Sequence, residues 1–168
     1  LWKILIKDGV NLGEVMMDFK ILGFDQSILE EISLELFNVT NSGFWSGGPL
    51  IAKLENKFSS LYNMEAVSCS SGGMALELIA NVFPEIRKIA VQSNTYFASI
   101  LPWLNRNKEI VLIGSKDNEL TPSLEHIKEA VILGVNAIVL THIGGYPIPE
   151  IRKISDFCKE KGVILIED

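Results

Sequence analysis

The sequence lacks most of the features that mark specialised classes of protein. Its two cysteines, Cys69 and Cys158, stand far apart with no C-x-x-C spacing, which excludes a disulfide framework and a finger-type zinc site. Each lies in an apolar stretch, so both are expected to be buried, reduced thiols. The fifteen basic residues are scattered and the formal net charge is −6, so the electrostatic footprint of a nucleic-acid binder is missing. No apolar run approaches the ~20 residues that span a bilayer. The opening Leu1–Ile6 is broken at once by Lys7 and Asp8, too short for a signal-sequence core. A cytoplasmic, soluble protein with no nucleic-acid or membrane partner is expected. The chain starts on Leu1 and stops one residue beyond the apolar run Val163–Ile166 and its Glu167, so a longer natural chain is expected as well.

What is present is a globular composition, 48% hydrophobic and 21% charged, of a size that suits one domain or part of one. Residues 1–24 hold two short apolar runs, Ile4–Lys7 and Val15–Phe19, and are set apart as an N-terminal segment of undefined character. From residue 25 to 168 the chain reads as one incomplete domain. Ile28, Leu29, Ile32, Leu36 and Phe37 recur at helical spacing, and Leu50, Leu54, Phe58 and Leu61 do so again after Pro49, a residue suited to a first helical turn. Beyond Asn63, apolar runs alternate with amphipathic stretches. Strands are expected at Ala66–Cys69, Ile89–Val91, Ile110–Ile113, Ala137–Leu140 and Val163–Ile166. Helices are expected at Met74–Phe83 (Met74, Ala75, Leu78, Ile79, Val82 and Phe83 forming the apolar repeat), Tyr96–Asn105, Ser123–Leu133 and Pro149–Lys161. Continuous apolar strands separated by helices predict an α/β fold, a mostly parallel sheet covered on both faces in three α/β/α layers.

Ligands of such sheets gather at the carboxyl ends of the strands, and three of those junctions carry chemistry. In Ser68-Cys69-Ser70-Ser71-Gly72-Gly73-Met74-Ala75 a glycine pair opens a helix. Unpaired N–H groups at the positive end of the helix dipole, with no Cβ in the way, would seat a phosphate. A plain serine-capped turn has the same residues, so the glycine pair alone does not decide between them. The G-x-G-x-x-G and G-x-x-x-x-G-K-[ST] patterns are both missing, which disfavours an ordinary doubly wound nucleotide-binding domain. In Gln92-Ser93-Asn94-Thr95-Tyr96-Phe97 an aromatic at a strand end can lie against a planar heterocycle, with Phe97 expected in the helix core. In Ile166-Glu167-Asp168 a carboxylate just beyond a buried strand is placed to meet a ring nitrogen.

Taken in order, these residues resemble the DegT/DnrJ/StrS family of sugar aminotransferases, which use pyridoxal 5'-phosphate (PLP). The likeness runs from about Gln26 to Asp168 in five blocks: Gly43-Phe44-Trp45-Ser46-Gly47-Gly48-Pro49 with Leu54-Glu55 and Phe58; Ser70 to Leu76; Gln92 to Ser99; Leu140 to Pro147; and Val163 to Asp168. It implies the large domain of a fold type I, aspartate aminotransferase-like transferase, truncated here. It also implies that Gly73 and Met74 supply backbone N–H groups to the cofactor phosphate with Gly72 shaping the turn, that Tyr96 stacks on the pyridine ring and that Asp168 pairs with the ring nitrogen, keeping it protonated as an electron sink. His142 would lie at the site's edge, with a structural hydrogen bond at a strand end as the competing reading. His126 is expected to face out of its helix without a role. Gly73 stands where the family has threonine and Gln92 where it has proline.

The family's Schiff-base lysine lies downstream of the aspartate, and none of the twelve lysines here occupies that place. No catalytic residue is therefore expected within the chain, and the 168 residues alone are expected to be inactive. For the whole protein the resemblance implies transamination between an amino donor such as glutamate and a nucleotide-linked keto-sugar, in a homodimer to whose shared sites the Gly43–Pro49 loop would contribute. Two alternatives stay open: a PLP-dependent sugar dehydratase with histidine for lysine, and a non-catalytic cofactor-binding or sensory relative.

Overall fold

The computed structural model describes residues 23–115 and 118–168, so the two apolar runs before Gln26 lie outside the described residues. The chain divides into two compact units, one ending at Ala66 and one running from Val67 to Asp168.

The first unit contains α1 (Gln26–Ser42) and α2 (Pro49–Tyr62). Gly43 ends α1 in the left-handed conformation at φ 73°, where a Cβ would be strained. Ser42 Oγ accepts from Phe44 N at 3.1 Å and Trp45 Nε1 reaches Thr40 O at 3.4 Å, which folds the connecting loop back on the helix end. Pro49 takes the first-turn position of α2, as its spacing predicts. Neither helix buries a residue among those described.

The second unit is built on four parallel strands, β1 (Lys88–Gln92), β2 (Glu109–Ile113), β3 (Ala137–Leu140) and β4 (Ile164–Glu167), in the spatial order β2-β1-β3-β4. Helix α3 (Gly72–Val82) precedes β1, and α4 (Leu101–Leu104), α5 (Leu124–Ile132) and α6 (Ile151–Lys161) connect successive strands. Strand periodicity sends alternate side chains to opposite faces. Ile89, Val91, Ala137, Val139 and Ile166 pack with Leu76, Ala80 and Trp103 on the α3 and α4 side. Ala90, Ile113, Ile138 and Leu140 pack with Ile127, Ala130, Ile154 and Cys158 on the α5 and α6 side. The sheet is thus buried on both faces, which is why its strands read as unbroken apolar runs, and the expected α/β layering is present.

Five expectations are corrected. Ala66–Cys69 is not part of the ladder: none of the four described strands pairs with it, and an apolar run becomes a strand only with a hydrogen-bonding neighbour. Cys69 is exposed for the same reason, whereas Cys158 is buried. The buried stripe of α3 is Leu76 and Ala80 with Ile79 and Phe83 packed beside them. Met74, Leu78 and Val82 are exposed instead, because a helix apolar nearly all round offers two stripes and periodicity cannot choose between them. Finally, Tyr96–Asn105 is not one helix but a 3-10 turn, Phe97–Ser99, followed by the single-turn α4. Pro102 lies in the first turn of α4, which starts a helix there and denies an earlier one its hydrogen bond. Phe97 consequently lies 57% exposed rather than in the core.

Ile154, fully buried on α6, tests this core. Ile154→Ala is expected to cost about 2–5 kcal/mol, read as a lowered urea midpoint without a change in slope. Burial pushes the Cys158 thiol up from its ordinary value, and the thiolate is the reactive form. Alkylation at pH 8 is expected to spare Cys158 until the chain unfolds.

Candidate active site

The order β2-β1-β3-β4 means that the chain leaves β1 in one direction and returns to its other side for β3. That reversal opens a crevice between the carboxyl ends of β1 and β3, the usual ligand position of open parallel sheets. The segments that follow β1, β3 and β4 meet there through side chains. Thr95 Oγ1 lies 2.6 Å from Thr141 Oγ1 and 3.0 Å from Ser99 Oγ. Ser99 Oγ donates to Asp168 Oδ2 at 2.5 Å, with Thr141 Oγ1 3.3 Å from the same oxygen. Asp168 is held in line by its backbone, donating to Leu140 O and accepting from His142 N, both at 2.8 Å.

Beneath this cluster Gln92 is almost fully buried, and its amide is used at both ends. Oε1 accepts from Thr141 N at 3.3 Å, and Nε2 donates to Asn94 O at 2.9 Å and Leu120 O at 3.5 Å. A proline could make none of these side-chain bonds. Gln92 therefore ties the β1 end to the β3 end and to the loop after β2.

The glycine pair stands at the start of α3. Ser71 caps the helix, its Oγ accepting from Met74 N at 3.2 Å, and Ser71 O accepts from Ala75 N at 3.0 Å. Among the described residues the N–H groups of Gly72 and Gly73 form no hydrogen bond. A Cβ at Gly73 would meet Ala98 Cβ at 3.5 Å, so the helix start lies against the 3-10 turn that also carries Ser99. Tyr96, just before that turn, is 64% exposed with its ring 4.1 Å from the Phe97 ring at a 49° tilt. The 3-10 turn therefore brings Tyr96, the α3 start and Asp168 into one neighbourhood.

Both histidines are engaged. His142 Nδ1 accepts from Ile148 N at 3.2 Å, which leaves the proton on Nε2 to be donated to Glu167 Oε2 at 3.2 Å. The structural reading of His142 matches this arrangement. His126 is not without a role: its Nδ1 accepts from Ser123 N at 3.2 Å and lies 3.0 Å from Ser123 Oγ, closing a capping box at the start of α5. Sequence reasoning missed Ser99, Thr141 and the buried Gln92 as parts of the cluster. Small hydroxyls carry no periodic signal, and Ser99 lies beyond the Gln92–Phe97 junction, whereas Gln92 and Thr141 stand at strand ends.

The model of the DegT/DnrJ/EryC1/StrS aminotransferase family matches residues 26–168. The chain belongs to that family. It is 27% identical over 154 residues to a dTDP-4-dehydro-2,3,6-trideoxy-D-glucose 4-aminotransferase of Saccharopolyspora spinosa, covering 88% of this chain and 40% of the relative. To a GDP-perosamine synthase of Vibrio cholerae it is 27% identical over 126 residues, 73% of this chain and 34% of that one. Among solved structures, an E. coli GDP-4-keto-6-deoxy-D-mannose-3-dehydratase with bound hydrated PLP superposes with a TM-score of 0.74 at 24% identity, over 88% of this chain and 39% of that one. A family member from Brucella abortus gives 0.73 at 20% identity, over 84% and 40%. These likenesses show that the fold is that of the PLP-dependent transferases. The chain spans about 40% of the length of the first of those curated relatives. Among the described residues no helix is long and apolar enough to cross a membrane.

The cap makes the α3 start testable. Ser71→Ala is expected to lower stability by about 1 kcal/mol through the lost cap. Gly73→Thr should fold with a stability change under about 0.5 kcal/mol, because the added Cβ meets only ordinary contacts. Chemical denaturation measures both.

Proposed function

We propose that the protein to which this chain belongs is a PLP-dependent aminotransferase acting on a nucleotide-linked keto-sugar, with an amino acid such as glutamate as donor. The observation that carries this reading is Asp168, a carboxylate held on one oxygen by the Ser99 hydroxyl at the strand-order reversal, with its other oxygen free of hydrogen bonds among the described residues.

The residues present fit the cofactor. The unpaired N–H groups of Gly72 and Gly73 at the α3 start suit a phosphate dianion, and nothing lies within 4 Å of the Cβ position at Gly72. Met74 N–H would be shared between the phosphate and Ser71 Oγ. Tyr96 offers an exposed ring face for stacking, and Asp168 offers the acceptor for the ring nitrogen. When bound, PLP supplies the electron sink that stabilises negative charge at the donor's α-carbon. Asp168 keeps the proton on the ring nitrogen, and the Gly72–Met74 backbone fixes the phosphate end. Residues 25–168 form part of the PLP-binding large domain. The proton-transferring lysine belongs to chain beyond Asp168, and the active protein is a homodimer.

Titration of the full-length protein with PLP tests the proposal. A saturable visible band is expected, and Asp168→Ala should lower turnover by at least about 10²-fold, the scale of losing one preorganised electrostatic partner. A protein that stays colourless and shows no PLP affinity overturns it. Loss of water from the sugar without amino transfer would identify a dehydratase instead. Gly73→Thr, which adds a hydroxyl at the phosphate, is expected to tighten PLP binding by roughly two- to tenfold.

A further inference from the structure

We propose that Ser99 is a positioning residue, the end of a directed hydroxyl chain Thr141–Thr95–Ser99 that occupies Oδ2 of Asp168 and so reserves Oδ1 for the ring nitrogen of the cofactor. The inference rests on the cofactor reading above and adds what sets the aim of its carboxylate.

Four contacts close a ring: Asp168 Oδ2 to Ser99 Oγ at 2.5 Å, Ser99 Oγ to Thr95 Oγ1 at 3.0 Å, Thr95 Oγ1 to Thr141 Oγ1 at 2.6 Å, and Thr141 Oγ1 to Asp168 Oδ2 at 3.3 Å. An ionised carboxylate only accepts, and each hydroxyl has one proton to give. Three protons therefore serve four contacts. The longest, at 3.3 Å, is the one left without a proton, so Thr141 donates to Thr95, Thr95 to Ser99, and Ser99 to Asp168. Each link polarises the next, and the last is a short charge-assisted bond of the stronger kind.

Ser99 has little freedom to do anything else. It is 1% exposed. Its carbonyl accepts from the indole Nε1 of the fully buried Trp103 at 3.0 Å, and its N–H donates to Tyr96 O at 3.0 Å. The hydroxyls rise from the segments after two different strands, β1 for Thr95 and Ser99 and β3 for Thr141, and they converge on one oxygen of a residue that follows a third. Oδ2 accepts the Ser99 hydrogen bond, and Oδ1 has no partner among the described residues.

Equilibrium binding to the full-length protein tests this with two ligands: PLP and its 1-deaza analogue, in which the ring nitrogen is a C–H. Wild type should prefer PLP. Ser99→Ala is expected to lose about tenfold in PLP affinity, the scale of a weakened hydrogen bond to a charged group, with the analogue nearly unaffected, and Ser99→Thr should restore the preference. Equal weakening of both ligands, or of neither, overturns the inference, because a structural defect does not sense the ring nitrogen. If Ser99→Ala fails to fold, Thr95→Val cuts the chain one link earlier and should show the same selective loss at about threefold. Wild type binding neither ligand overturns the cofactor reading itself. Wild type binding both equally overturns the role of Asp168 before Ser99 is in question.

Discussion

Reversal of strand order between β1 and β3 is the constraint on which the rest of the second unit depends. A parallel sheet buried on both faces can expose polar groups only at its ends. Where neighbouring strands send their chains to opposite sides, the carboxyl ends are left open rather than bridged. The hydroxyls and the carboxylate of the candidate site meet at that opening. Thr95 and Ser99 follow β1, Thr141 follows β3 and Asp168 follows β4, and their hydrogen bonds run across the reversal. The apolar packing of Ile89, Val91, Ala137 and Val139 fixes the strand ends, and the strand ends fix the hydroxyls. Packing and site chemistry are consecutive steps of one construction.

The 3-10 turn Phe97–Ser99 converts that sheet geometry into a site. Three residues long, it has Tyr96 at its entrance, Ala98 against the start of α3 and Ser99 on Asp168. A regular α-helix over the same residues would turn successive side chains by about 100°, a different set of directions from the tighter 3-10 winding. Trp103 holds the turn from below, burying a large ring while its Nε1 satisfies Ser99 O. Gln92 does the equivalent work on the other flank through Thr141 N and Asn94 O. Two buried side chains with polar tips thus brace a short irregular segment that has little regular hydrogen bonding of its own.

Much of this was legible in the sequence, and the parts that were not share a cause. The four ladder strands and helices α1, α2, α5 and α6 follow from apolar periodicity and from punctuation by Pro49, Gly43 and Gly162, because each buries or caps locally what its pattern announces. The Ala66–Cys69 strand failed because pairing is a non-local property that an apolar run cannot guarantee. The wrong stripe of α3 failed for a related reason: Met74, Leu78 and Val82 are as apolar as Leu76, Ile79 and Ala80, and only the neighbouring elements decide which side is covered. The junctions at Gly72–Met74, Tyr96 and Asp168 were located by the rule that ligands gather at strand ends. Ser99 and Thr141 became visible only once the distances joined them.

The glycine pair supplies the last step. Neither Gly72 nor Gly73 has the positive φ that would require glycine, and a Cβ would fit at both. Each glycine in a helix costs up to about 1 kcal/mol relative to alanine, so neither backbone geometry nor stability accounts for two in succession. What the missing side chains do is leave two adjacent N–H groups bare at the positive end of an eleven-residue helix. Threonine at the second position would add a hydroxyl donor but also bulk. With glycine there, a bound phosphate would be held by backbone donors, whose directions are set by the helix rather than by a rotamer. The orientation of a bound cofactor would then rest on two rigid features, the axis of α3 at one end and the hydroxyl-held carboxylate at the other. The 3-10 turn, touching both, sets the distance between them.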